Sequence, residues 1–374
     1  MAIDWSIDRR GLFSAAAGAV LGGALGLSSK AQADTGTDAI STTLVSAARI
    51  GDTDGGVIVD GEGLAAFALP GRGHAVLRLS ESDVLLVGRR PGTFAAIVDV
   101  FSPERRPRLI APIGGHRFAG HAVLSPDRRM LVTSEIDAET GFGVVVLRDP
   151  EMGAPSTSFP VGIEPHDLVF ASGGERLVVA VGGIARAAEV KGPAMNLGRI
   201  ESAIVEIDPR SGTVLKRHIL APGLQSLSLR HLALAPDGET VAFGMQDQDR
   251  SELRPLMGLL RVGHSLELLP LPSDEEATLR FYIGSVAIDA TGTFLAATSP
   301  KGGMAGLWRL SDGKALSGFR LTDVCGLAAS GAPGSFLVTS GLGDVVMLGA
   351  RDDGFAELAH WRAPAAFDNH LLKI

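Results

Sequence analysis

The chain has 374 residues, a formal net charge of −8 and 45% hydrophobic residues, enough material to bury a large core. The acidic balance gives it no electrostatic reason to seek nucleic acid or an anionic membrane surface. A single cysteine, Cys325, excludes an intramolecular disulfide framework.

In chain order, residues 1–33 read as a targeting segment. "DRRGLF" at Asp8–Phe13 precedes the Ala- and Gly-rich run "SAAAGAVLGGALGLSS", and "AQA" at Ala31–Ala33 supplies a small-residue cleavage site. The Arg9–Arg10 pair before a weakly hydrophobic stretch predicts a twin-arginine signal and a periplasmic destination. The mature chain then begins near Asp34, and removal of Asp4, Asp8, Arg9, Arg10 and Lys30 takes the net charge from −8 to −9. No later stretch is long and apolar enough to span a bilayer.

Past the signal, 48 glycines and 20 prolines with few helical patterns favour short strands and turns. A weak repeat organises them. "HAVLRLSESDVLLVG" (His74–Gly88), "HAVLSPDRRMLVTSE" (His121–Glu135), "HDLVFASGGERLVVAVGG" (His166–Gly183) and "HLALAPDGETVAFGMQ" (His231–Gln246) each give a histidine, a strand, a turn and a second strand. "SVAIDATGTFLAATS" (Ser285–Ser299) and "CGLAASGAPGSFLVTS" (Cys325–Ser340) follow the plan with Ser and Cys in first place. A further step of about 45 residues, the period of a four-stranded blade, lands on His370 in "DNHLLKI". The seventh repeat is incomplete, whereas "GGVIVDGEGLAAFALPG" (Gly55–Gly71) has strands without a leading one. The pattern predicts an all-β fold: a seven-bladed β-propeller of WD40/YVTN-like repeats, one domain over residues 34–374. It is closed by pairing the C-terminal strand with N-terminal strands.

In such a fold the first strand of each blade lines the axis, and its start shares a face with the end of the second strand. His74, His121, His166, His231 and His370 are therefore expected to ring one axial mouth, with Ser285 and Cys325 in the remaining places. Arg89, Arg90, Glu135 and Gln246 end second strands at the same mouth, with Asp137 and Asp247 just beyond. Converging neutral imidazoles suit a late first-row metal, iron or copper first. Asp167, Glu164, Asp368, Asn369 and Arg230, each near a histidine in sequence, are candidate partners that fix ring orientation. Arg89, Arg90 and Arg230 with histidine donors would equally make a pocket for a small anion. The insertion Gly182–Ile200 reads as a loop over one face, with Asn196 and Arg199 able to reach the mouth. Neither a nucleophile elbow, a phosphate-binding loop, a dinucleotide fingerprint nor a haem-attachment motif is present.

"GHAVLSPDRRMLVTSEID", "GIEPHDLVFASGGERLVVAVGGI", "NLGRIES", "LSLRHLALAPDG", "RPLMGL", "YIGSVAI", "TSPKGG" and "FDNH" together resemble an exported bacterial family of unknown function, DUF1513, over nearly all of the mature chain. "SPDRR" departs from the commoner "SPDG", and "VAVGGI" lacks an Asn before its glycine pair. The resemblance implies a periplasmic propeller encoded alongside imelysin-type iron-uptake proteins and dihaem peroxidase-like proteins, hence iron or haem handling with such proteins as partners. Three functions are open at this point. They are metal binding at the ring, a protein-interaction propeller with a structural histidine ring, and an axial enzyme, either a metal-dependent oxidoreductase or a lactonase-like hydrolase.

Overall fold

The computed structural model describes residues 42–185, 196, 200–271 and 279–374; the expected signal over 1–33 and Arg199 lie outside them. Among the described residues, 28 strands and one 3-10 turn make five four-stranded sheets and one eight-stranded sheet, a propeller-like all-β fold. The eight-stranded sheet is two consecutive antiparallel four-strand runs, Ser285–Arg320 and Val324–Arg362. Their outer edges touch through one parallel pairing, Ser317 with Gly354.

Burial falls off across each sheet, and the sequence follows it. Second strands such as Arg176–Val181 (RLVVAV) and Asp83–Gly88 (DVLLVG) are covered on both faces and read as nearly continuous apolar runs. Fourth strands such as Pro155–Ile163 are mostly exposed and carry polar residues. The turns are set by Asp side chains. Asp237 accepts the backbone N–H groups of Glu239 and Thr240 at 2.9 and 2.8 Å, ahead of Gly238 at φ 73°. In the equivalent "SPDR" turn Arg128 takes that left-handed position at φ 60°, at a cost of about 1–2 kcal/mol relative to glycine.

The innermost strands carry the leading residues of the repeat: Gly73–Arg78, His116–Leu124, Pro165–Ala171, Leu227–Leu234, Ser285–Ile288, Val324–Ala329 and Ala366–Lys373. Each packs on the next in that order, and the last packs back on the first, closing a circle. The closing sheet is the one expected. Ala366–Lys373 pairs antiparallel with Leu44–Ile50, Leu44 opposite Lys373 and Arg49 opposite Ala366. Thr53–Asp60 and Gly63–Ala68 complete it. Phe367 and Leu371 from the last strand pack with Leu44, Val57 and Cys325 in one buried cluster.

Candidate metal centre

Irregularities in these inner strands seat the histidines. Opposite its neighbour, the strand bearing His74 spends three residue steps (Gly73 to Val76) against two (Gly88 to Leu86). Pro165 to Leu168 around His166 repeats this count, Leu229 to His231 spends two steps against one, and Phe118 to Ala122 around His121 and Phe367 to Leu371 around His370 spend four against two. Such a bulge adds one residue, or two around His121 and His370, and re-aims the side chains there, here toward the axis. The strand bearing Ser285 pairs regularly, without a bulge. Gly120, at φ 111°, permits a close approach: a Cβ there would lie 2.8 Å from His74 Cδ2.

The five histidines meet. Ring centroids lie between 4.6 and 6.0 Å apart over eight contacts that link His74, His121, His166, His231 and His370. Two overlapping triads, His74–His121–His166 and His121–His231–His370, each bring one ligating nitrogen per residue within 4.8 Å of the others. Burial pushes the His74 imidazole down to about 4, against the pull of its hydrogen bond to Asp368. Burial, then the neighbouring imidazoles, hold His166, His231 and His370 well below the ordinary histidine range. These four rings are therefore uncharged at neutral pH, the form that binds metal.

Carboxylates fix two tautomers, and they do so across sheets. His121 Nδ1 is 3.1 Å from Asp167, whose other oxygen accepts the backbone N–H of Leu232 at 2.9 Å. His74 Nδ1 is 3.3 Å from Asp368, which also meets Arg72 at 2.5 Å and Arg89 at 3.5 Å. Burial works to raise the Asp368 carboxyl, but the His74 hydrogen bond and the two guanidiniums outweigh it and hold it well below the usual carboxylate range. The expected pairings of Asp167 with His166 and of Asp368 and Asn369 with His370 are thus replaced. Each acid serves the histidine of an adjacent sheet, and the Asn369 amide lies 3.3 Å from the Tyr282 hydroxyl. Arg230 and Arg90 both engage the buried Glu164 carboxylate, Arg230 at 3.0 Å.

Other expected mouth residues are committed elsewhere. Glu135 is fully buried and accepts from Arg148 at 2.5 Å, Thr133 at 2.8 Å and the Ile113 N–H at 2.9 Å. Its place at the end of a second strand suggested the mouth; the buried Arg148 draws it into its own sheet. Gln246 pairs with Tyr282 through the backbone. Asp247 is held by Arg254 at 3.0 Å, and Asp137 accepts the Thr140 turn. Ser285 is buried on its regular strand. Cys325 lies in an apolar cluster with its thiol toward the Thr339 and Phe367 carbonyls, and burial pushes that thiol far above its ordinary pKa. Asn196 hydrogen-bonds Gly183 and Ala185. Sequence reasoning missed Arg72, Tyr282 and the hydroxyls that hold the seats. Ser46 donates to the His370 carbonyl at 2.7 Å, Ser134 to that of His166 at 2.8 Å and Thr298 to that of Cys325 at 2.7 Å. The recurring "TS" at second-strand ends was the signal for the last two.

The donor set fits a metal ion. His121 Nε2, His166 Nδ1, both nitrogens of His231 and His370 Nε2 are buried without a hydrogen-bond partner, each orphan costing about 1–3 kcal/mol. An imidazole nitrogen sits about 2.0–2.1 Å from such an ion, so two nitrogens on one ion are at most about 4.2 Å apart. Three nitrogens spread evenly around one ion lie about 3.6 Å apart, so triads spanning up to 4.8 Å need to close by about 1 Å. With Nδ1 engaged by Asp167, His121 offers Nε2 alone, so the two triads can serve one ion at a time.

The sequence matches the family model "Protein of unknown function (DUF1513)" over residues 67–374, and no curated protein matches it. Among solved structures, the chain is similar to Kuenenia stuttgartiensis hydrazine synthase, with a TM-score of 0.59 and 14% identity over 82% of this chain and 94% of that one. In all, 1332 solved chains match, so the fold is widely shared and does not itself assign a chemistry. No helix among the described residues is long and apolar enough to cross a membrane.

Proposed function

The chain belongs to the DUF1513 family, and from that footing we propose that it is a periplasmic seven-bladed propeller that binds a transition-metal ion at its axial histidine ring. Residues 34–374 form the propeller, and residues 1–33 its twin-arginine signal. The count of seven takes the eight-stranded sheet as two blades that share one edge contact. Export in a folded state suits a protein whose site is assembled from five separate strands.

One observation carries the reading: five buried imidazole nitrogens without partners converge from four of the five histidines. A purely structural ring would satisfy its own nitrogens, as Glu206 and His218 do at 2.6 Å elsewhere in the chain. Iron stands first because of the gene neighbourhood implied by the family resemblance. Copper stands second because an all-imidazole set also suits it. Rings this close leave no slot for a porphyrin plane between them, so the ring's cargo is an ion rather than haem. A role in iron uptake beside imelysin-like proteins follows from the same neighbourhood.

The test is elemental analysis of mature protein purified from its native periplasm, followed by calorimetric titration with iron(II) and copper(II). Near-stoichiometric metal, lost in His121→Ala, is the expected result. Metal-free protein without micromolar affinity for either ion would sink the proposal.

A further inference from the structure

The five histidines do not surround the axis evenly. They come from five successive inner strands of the closed circle, in the order His370, His74, His121, His166, His231. The strands of Ser285 and Cys325 fill the gap between the two ends of this arc. His121 stands at its centre, and of the five it is the ring that meets all four others. Its centroid lies 5.0 Å from that of His74, 4.6 Å from His166, 5.7 Å from His231 and 4.7 Å from His370. Both triads contain it: His74–His121–His166 is the middle of the arc, and His121–His231–His370 joins the centre to both ends. An imidazole nitrogen has one lone pair and serves one ion, and Asp167 at 3.1 Å occupies His121 Nδ1. The triads are therefore alternatives for a single ion, with His121 Nε2 common to both.

They are not equivalent. All three residues of the middle triad are buried. Two of them have a ring nitrogen held by a carboxylate, His74 by Asp368 at 3.3 Å and His121 by Asp167. Such partners fix the tautomer and raise the basicity of the donor nitrogen, and each is worth about 10–100-fold in metal affinity. In the end triad His121 brings its carboxylate, while both nitrogens of His231 lack a hydrogen-bond partner, so nothing sets which of them faces the ion. His370, alone among the five, is only half-buried. The end triad is thus the more accessible and the weaker, and the middle triad the more enclosed and the stronger.

We propose that the two triads are successive stations for one metal ion: His121, His231 and His370 receive it, and His74, His121 and His166 hold it. The ion keeps its bond to His121 and exchanges His231 and His370 for His74 and His166. The inference rests on the metal reading of the ring and gives that reading a direction.

Copper(II) added to the mature protein tests it, with calorimetry for affinity and stoichiometry, EPR for the ligand set and stopped-flow absorption for uptake. Wild type should take up a single ion. His231→Ala and His370→Ala each remove the receiving triad alone, and should keep wild-type affinity and EPR spectrum while uptake slows. His166→Ala leaves the ion on the receiving triad, so it should still bind a single ion, about 10–100-fold more weakly and with a changed spectrum. Melting temperature is checked for each, and two variants of the receiving triad guard against one that fails to fold. Two ions in wild type overturn the proposal. So does an equal loss of affinity in His231→Ala and His166→Ala, which a single five-histidine site requires, or uptake in His231→Ala and His370→Ala as fast as in wild type. Failure of the metal reading itself looks different: copper then binds to none of the four proteins.

Discussion

Acidification of the metal-free protein is expected to remove much of its stability through the histidine ring. An unfolded imidazole titrates near 6.5, and buried His74 titrates at about 4. The folded value is the lower one, so between the two the unfolded chain binds more protons. Stability is fully present above about 6.5 and is lost as pH falls toward about 4. At about pH 5, roughly 1.5 units below the unfolded value, His74 alone costs about 2 kcal/mol at 1.36 kcal/mol per unit. His166, His231 and His370 are displaced in the same direction, with burial again the leading cause. They therefore add to the loss over the same acid range, against a total stability of about 5–15 kcal/mol for many domains. Asp167 and Asp368 are shifted below the ordinary carboxylate value, so their contribution is present above about 4 and disappears only in a more acidic window.

The assay is denaturant unfolding of chelator-treated mature protein between about pH 7.5 and pH 5. The slope of stability against pH should approach that for uptake of about four protons on unfolding. His231→Asn should remove about a quarter of that slope. Stability that stays flat over this range, or a slope untouched by His231→Asn, would refute the claim that the ring is buried and neutral.

Two further perturbations separate the site from its scaffold. Asp167→Asn keeps an acceptor for the Leu232 N–H but removes the charge that fixes His121, so metal affinity should fall about 10–100-fold by calorimetry; unchanged affinity would mean that Asp167 does not set the His121 tautomer. Glu135→Ala strands the buried Arg148 guanidinium and should cost about 3–5 kcal/mol in urea unfolding while metal affinity is retained. Intact stability with lost metal binding would return Glu135 to the mouth.

The positions of the histidines were legible because the repeat fixes which residue leads each inner strand, and a leading residue near the axis has few places to go. Their partners were not legible, for a geometric reason. The bulge between Pro165 and Leu168 breaks the regular alternation of side chains, and Asp167 is turned away from its neighbour His166. In a closed circle of inner strands, a side chain that does not face the axis faces the neighbouring sheet, and there Asp167 finds His121. Asp368, two residues from His370, would share its side on a regular strand, but the bulge between Phe367 and Leu371 turns it toward His74. A bulge is a property of two paired strands, so one strand's sequence does not reveal it. The consequence reaches beyond assignment. Asp368 stands on the strand that closes the circle, and it fixes the tautomer of a histidine on the next sheet. Closure of the fold and preparation of the His74 Nε2 lone pair therefore depend on the same strand, and a chain that failed to dock residues 366–373 would lose His370 and the orientation of His74 together.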